Sequence, residues 1–397
     1  MSATSRSWLS QMAAVLVAIW VLGGVVSAGT ATGFVVTNDD LPAGNLMVQN
    51  NSVSFYAIGA NGLLTLQGDV VTAGYGIAGG FFGSNRLAVL NGGGQQCVYA
   101  SDAGSGDIAG IIVSNFTLGG TAVGSTNDTG ASNGIGLVTN GQYVYASFSD
   151  SSNIGTFQIQ PNCNLTFIGD ITVTGLQGGF VDSMALQGNI MVVTYGDGSI
   201  ESFNISGVIP VSNGDKQNST KAFGSQGAAY PSAVLITQDG HYAIFGDTST
   251  AADVEVSDIS SGKLTKTVVY DSGASISSSN ILLSPDETML YVSDTQGDRV
   301  SAAFFDKNTG KLRPGCTSNL LNGYSSNWSY LGNLALASAT GTGGGVYVAE
   351  YGAPASIAMI QLNSAGGKCT MKEAPGSPIA DPNSLGLLSI GNFPPQP

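Results

Sequence analysis

The sequence predicts an all-β fold, a seven-bladed β-propeller of four-stranded antiparallel blades whose ring is closed by the C-terminal strand joining the first blade. Three observations carry that prediction. A β-rich phrase returns seven times, the chain is apolar yet almost uncharged, and its two ends complement each other.

The repeat is the strongest of the three. It reads Phe34-Val35-Val36-Thr37, Val98-Tyr99-Ala100-Ser101, Val144-Tyr145-Ala146-Ser147, Val192-Val193-Thr194, Ala243-Ile244-Phe245-Gly246, Leu290-Tyr291-Val292-Ser293 and Val346-Tyr347-Val348-Ala349. From Val35 through Tyr99, Tyr145, Val192, Ile244 and Tyr291 to Tyr347 the spacings are 64, 46, 47, 52, 47 and 56. Each holds about four short strands with their turns, the size of one blade. The composition agrees: 43% hydrophobic, 10% charged, 57 glycines and a mean hydropathy of +0.20. Past the N-terminus no apolar run reaches the roughly 18 residues that a spanning helix needs. Stacked sheets buried on both faces reconcile high hydropathy with few charges.

Taken in order, residues 1–28 read as an export signal, with Arg6 before the apolar run Met12–Val26 and Val26-Ser27-Ala28 at the cleavage site. Residues 29–397 then form the propeller. The mature chain starts near a second strand, Gly33–Thr37. Within blades, apolar first strands lead into turns such as Gln238-Asp239-Gly240, and alternating third strands follow, as in Asn153–Ile159. Fourth strands begin at Thr309-Gly310-Lys311-Leu312 and Ser261-Gly262-Lys263-Leu264, where the Thr-Gly and Ser-Gly pairs supply turn backbone. The chain ends on Ser384-Leu385-Gly386-Leu387-Leu388-Ser389, an innermost strand that completes the first blade and removes an open edge.

The run Leu283-Ser284-Pro285-Asp286-Glu287-Thr288-Met289-Leu290-Tyr291-Val292-Ser293-Asp294, with Phe304-Phe305-Asp306 and Thr309–Leu312, resembles a blade of the lactonase-like seven-bladed propellers. That group includes 6-phosphogluconolactonase-type enzymes, carboxymuconate cyclases and YVTN-repeat proteins. Ala374-Pro375-Gly376-Ser377-Pro378 is similar to its blade junction. The resemblance implies the fold and a lactone-hydrolase ancestry; it does not by itself specify a reaction.

Propeller topology puts the ligand site at one mouth of the channel. Asp102, Asp247, Asp294 and Glu350 fall in equivalent places after second strands, with Asn38-Asp39-Asp40, Asp150 and Asp197 nearby. The acids form either a site for a hard cation such as calcium or a set of Asx turns bonding their own loops. Tyr75, Phe81, Phe82, Phe180, Tyr230, Tyr324, Trp328 and Tyr330 fall in loops on the same face. Flat rings beside amides suit a small neutral, sugar-like or glycan ligand, with Trp328 and Tyr230 as binding candidates; the alternative is packing between blades. Arg86 opens a first strand and Arg299 a third strand, so both are candidates to polarise a carbonyl, or else to pair with Asp102 or Asp298. The single histidine, His241, falls on the opposite face, away from any acid–base role at the mouth.

The formal charge is −14; removing Arg6 with the signal leaves 11 basic against 26 acidic residues, or −15. So acidic a chain repels phosphate backbones and anionic membranes, which excludes nucleic acid and, once the signal is cleaved, membrane as partners. A basic pocket for phosphorylated substrates is missing from the pattern. Cys97, Cys163, Cys316 and Cys369 predict two disulfides in an exported chain, secreted or periplasmic. Cys97, before a second strand, and Cys163, in a turn one blade later, could pair across neighbouring blades; Cys316 and Cys369 lie in the outer strands of adjacent blades. Glycosylation sequons begin at Asn50, Asn115, Asn127, Asn164, Asn204, Asn218 and Asn327. The reading is a monomeric, cofactor-free propeller that binds a small molecule or glycan. The alternatives are an active hydrolase of an unphosphorylated sugar lactone and a calcium-stabilised structural propeller.

Overall fold

The computed structural model describes residues 33–42, 50–77, 85–92, 94–123, 136–148, 151–219, 230–247, 253–265, 267–271, 278–294, 299–319, 321, 330–337, 344–351, 355–384 and 389–393. The chain separates into Met1–Thr30 and Ala31–Pro397; the described residues all belong to the second unit, and the predicted export signal lies outside them.

The described strands form seven antiparallel sheets. From the channel outward, blade 1 is Ser389–Phe393, Phe34–Asn38, Ser52–Ile58 and Leu64–Val71. Blade 2 is Leu87–Gly92, Gln95–Asp102, Asp107–Ile112 and Thr117–Val123, and blade 3 is Gly136–Thr139, Tyr143–Phe148, Asn153–Ile159 and Leu165–Thr172. Blade 4 has Val181–Gln187, Ile190–Tyr195 and Ser199–Asn204, with its outer edge split into Val211–Ser212 and Gln217–Asn218. Blade 5 is Pro231–Ile236, Tyr242–Asp247, Asp253–Asp258 and Val268–Asp271, and blade 6 is Ser278–Leu283, Met289–Asp294, Arg299–Asp306 and Lys311–Thr317. Blade 7 is Tyr330–Ala337, Gly345–Tyr351 and Ser356–Ala365, edged by Lys368–Glu373 and Ile379–Ala380. All seven repeated phrases are second strands, as predicted. First strands of neighbouring blades touch in a closed cycle.

Alternation along the second strands explains both the phrase and the core. Cys97 and Tyr99 pack toward blade 3 while Val98 and Ala100 pack toward blade 1. Met289 and Tyr291 likewise face blade 7, and Leu290 and Val292 face blade 5. A strand feeding two interfaces is apolar on both faces along its middle, as in Val98-Tyr99-Ala100 and Leu290-Tyr291-Val292, and turns polar where it reaches the mouth at Asp102 and Asp294. Each buried aromatic or aliphatic side chain contributes about 1.5–3 kcal/mol. The buried clusters number seven, one per blade interface.

Closure works as predicted, and its described strand extends from Ser389 to Phe393. Ser389–Phe393 pairs antiparallel with Phe34–Asn38, in the register Phe34↔Phe393 through Asn38↔Ser389. Of the predicted strand at 384–389, positions 385–388 lie outside the described residues; Ser384 Oγ donates to Asp39 O at 3.0 Å. Inside the channel Asn392 clamps blade 7: its Nδ2 donates to Leu336 O and its Oδ1 accepts from Leu336 N, both at 2.6 Å.

A second correction concerns blade 5. Its outer strand begins at Val268, because the N–H of Leu264 is taken by Asp215 Oδ2 of blade 4 at 2.7 Å and its side chain is buried between the two blades. Both disulfides form, Cys97–Cys163 and Cys316–Cys369, each with a Cα–Cα distance of 5.6 Å. Cys97 lies within its second strand rather than before it. The two bridges join blades 2 and 3 and blades 6 and 7. Among the described residues no helix is long and apolar enough to cross a membrane.

Candidate functional site at the channel mouth

Second strands end, and third strands begin, on the face where the chain enters each new blade. The acids placed there by sequence reach that incoming backbone. Asp102 Oδ2 accepts the Gly74 N–H at 3.1 Å, and its Oδ1 accepts from Asn51 Nδ2 at 2.9 Å and Thr72 Oγ1 at 2.8 Å. A Cβ on Gly74 would strike the Asp102 side chain, so glycine alone lets this backbone approach. Asp197 Oδ2 accepts from Gln177 N at 2.6 Å and Gly179 N at 3.1 Å. In blade 5, Asp247 Oδ1 accepts from Tyr230 N at 3.0 Å. Glu350 accepts the Ser356 hydroxyl, and Asp294 stands opposite Arg299 in the ladder. Acids in blades 2, 4 and 5 thus hold the loop that enters their own blade.

Beside them lies a buried polar cluster at the junction of blades 1 and 2. Arg86 Nη1 meets Asp40 Oδ2 at 2.6 Å, with the two side chains 1% and 2% exposed. Asp40 Oδ1 accepts from Ile77 N at 3.1 Å, and its own N–H donates to Asn38 Oδ1 at 3.2 Å. Asn38 Nδ2 donates to Ser101 O at 2.8 Å, and Asn51 Nδ2 donates to Asn38 Oδ1 at 2.8 Å. Arg86 therefore pairs with Asp40 and is shut off from the mouth solvent. Burial pushes the Asp102 carboxyl up to about 6 against those three hydrogen bonds.

A second cluster sits where the chain end meets blade 1. Asp39 accepts from Thr37 Oγ1 at 2.6 Å, Ser52 Oγ at 2.5 Å and Ser54 Oγ at 2.9 Å. Asn383 Nδ2 donates to Ser54 Oγ at 3.2 Å. Burial, and then the neighbouring Asp381, raise Asp39 well above the usual carboxylate range; burial raises Asp381 too.

The other sequence candidates scatter. Arg299 opens its third strand, half-buried, with Nε finding no hydrogen-bond partner among the described residues. Tyr230 is 45% exposed and Tyr75 39% exposed on the mouth face. Tyr75 lies against Gly104 and Phe180 against Gly196, each ring covering the second-to-third-strand loop of the blade its own loop enters. Tyr330 opens the first strand of blade 7, whereas Phe81, Phe82, Tyr324 and Trp328, with Asp150 and Asp298, lie outside the described residues. His241 is exposed in the turn between the first two strands of blade 5, on the opposite face, with Nδ1 3.2 Å from Asp239. Among the described residues no three His, Cys, Asp or Glu side chains converge as a metal site would require.

Sequence reasoning missed the bulges. The first strands of blades 4, 5, 6 and 7 each slip register near their start, between Val181 and Ser183, Pro231 and Ala233, Ser278 and Asn280, and Leu331 and Leu334. Bulges re-aim side chains and cluster at barrel rims and sites. One of them carries Asp182, raised by burial to about 7. A bulge is a property of pairing, so no local signal announces it.

No protein-family profile matches the chain, and no curated protein matches it. Solved structures do. One, from Bacteroides fragilis and described as a candidate 6-phosphogluconolactonase, is 16% identical with a TM-score of 0.54, over 72% of this chain and 81% of that one. A second such protein, from Bacteroides uniformis, is 14% identical with a TM-score of 0.54, over 71% and 80%. A protein of unknown function from Desulfotomaculum acetoxidans is 12% identical with a TM-score of 0.63, over 91% and 99%. At these identities the likeness establishes the fold: the chain is built as the lactonase-like seven-bladed propellers are.

Proposed function

We propose that this chain, a propeller of the lactonase-like fold, is an exported binding protein that takes a small neutral, sugar-like ligand at its channel mouth without hydrolysing it. The observation behind this reading is Arg86. The cation best placed in sequence to polarise a carbonyl is buried against Asp40, which removes it from the reach of a substrate. The acids around it are spent on loop backbone, which leaves exposed Tyr75 and Tyr230 with neutral hydrogen-bonding groups as the contact surface. Such a surface suits hydroxyl-rich, uncharged ligands. Two disulfides accord with an oxidising compartment and support export.

A lactone hydrolase is the second reading, favoured by Arg299, whose Nε has no hydrogen-bond partner among the described residues at the opening of a third strand. The deciding experiment incubates purified mature protein with unphosphorylated sugar lactones and, separately, titrates neutral sugars by calorimetry. The binding reading expects no turnover above buffer, and sugar binding weakened about tenfold by Tyr230→Ala. Turnover that Arg299→Ala abolishes would replace it with the hydrolase.

A further inference from the structure

We propose that Asn204 is N-glycosylated and that its first sugar lies in the cleft between blades 4 and 5. The inference rests on the export reading above. Three of the sequons occupy one place in successive blades: Asn115, Asn164 and Asn204 stand at the third-to-fourth-strand turns of blades 2, 3 and 4, on the face opposite the mouth. Their side chains are not equivalent. Asn164 follows the bridged Cys163, donates its Nδ2 to Pro161 O at 3.1 Å and packs its Oδ1 against Gly120, so its amide is already used by the turn. Asn204 is exposed and accepts the Ser206 N–H on Oδ1 at 2.8 Å. That bond orients the side chain and leaves Nδ2, the acceptor atom of glycosyl transfer, without a hydrogen bond among the described residues. Asn115 is held similarly, Oδ1 accepting the Thr117 hydroxyl at 2.6 Å, but it lines neither of the described clefts.

The cleft distinguishes Asn204. It measures about 460 Å³, and Asn204 and Ser206 form part of its wall with Asn189 and Asn213 from blade 4 and Ser260 from blade 5. No charged side chain lines it, and Ile190 and Ile259 supply its apolar part. Neutral amides and hydroxyls over a small apolar floor match an N-acetylhexosamine, whose acetamide and hydroxyls need partners and whose ring has an apolar side; a pocket of a few hundred Å³ accepts one or two such rings. In the transfer, Asn204 Nδ2 attacks the anomeric carbon of a lipid-linked oligosaccharide. The C–N bond forms, the C–O bond to pyrophosphate breaks, the lipid pyrophosphate leaves, and the amide gives up one proton. The attached sugar then spans two blades.

The test secretes the full chain from a eukaryotic host and maps its peptides by mass spectrometry before and after peptide-N-glycosidase F. The expected result is a glycopeptide at Asn204 that the enzyme converts to aspartate and that Ser206→Ala or Asn204→Gln abolishes. An Asn204 peptide recovered wholly unmodified from secreted protein overturns the proposal. Failure of the native leader to deliver protein to the medium counts against export alone, and an unrelated leader then supplies material for the same measurement. Cleft docking has its own readout. Trimming to a single sugar should leave Tm unchanged, whereas Ser206→Ala should lower it by about 1–2 °C, the shift expected for roughly 1 kcal/mol in a chain of this length; equal Tm values for all forms overturn the docking.

Discussion

Arg86 and Asp40 stand 46 positions apart, and their pairing changes what each residue means. From the sequence Arg86 is a cation opening an innermost strand, available to a ligand. In the fold it is enclosed with Asp40 and joined to Asn38, Asn51 and Asp102 through shared hydrogen bonds. Removing one partner of a buried ion pair leaves the other charge uncompensated, at a cost of about 3–5 kcal/mol. Arg86→Ala should therefore lower the unfolding free energy by that amount, read as a lower urea midpoint at unchanged m-value. The double variant Arg86→Met, Asp40→Leu should recover much of it, since no charge is left buried alone. A variant that keeps wild-type stability while losing a lactonase activity would make Arg86 a catalytic group after all. The sequence located this residue at the right strand and could not name its partner, because side-chain pairing across two blades is set by distances that no local pattern encodes.

At the scale of the element, Ser389–Phe393 closes the ring, and Asp381 comes beside Asp39. Asp39 and Asp381 are both buried, Tyr56 lies beside Asp381, and the Asp40–Arg86 pair adjoins Asp39 in sequence. Burial raises both acids, and Asp39 also feels Asp381. A carboxyl whose folded value exceeds its unfolded value of about 4 binds more protons folded than unfolded, so stability is full below that value and declines as pH rises through the raised range. Asp102, at about 6, adds a contribution of the same sign. The urea midpoint should thus be higher at pH 5 than at pH 8.5, and Asp39→Asn should flatten the difference. A midpoint that rises with pH over this interval contradicts the assignment. Closure itself was legible from the complementary ends. The extent of the strand to Phe393 was not, since the register of Ser389–Phe393 with Phe34–Asn38 is a property of pairing.

Across the whole molecule, stability is distributed over the seven apolar interfaces, and two of them are bridged covalently. The bridges span sequence separations of 66 and 53, so each removes a large loop's freedom from the unfolded chain. Losing Cys97–Cys163 or Cys316–Cys369 should cost about 2–5 kcal/mol each, read from the denaturation of Cys97→Ala, Cys163→Ala and Cys316→Ala, Cys369→Ala pairs. An unchanged midpoint in either pair would mean that its interface holds without the staple. Adjacency of the blades, which makes both bridges feasible, follows directly from the order of the repeat.

What the sequence alone determined is the all-β repeat: seven second strands, apolar on both faces along their middles because each feeds two interfaces, with turns at blade-sized intervals. Those features are local, so they survive in one dimension. Tertiary structure decided what the polar residues do. It set Arg86 on Asp40, turned Asp102, Asp197 and Asp247 into holders of incoming loops, and placed bulges in four first strands. Hydrogen bonds and ion pairs are short-ranged and directional, so their partners exist only once register and closure have brought distant residues within about 3 Å of each other.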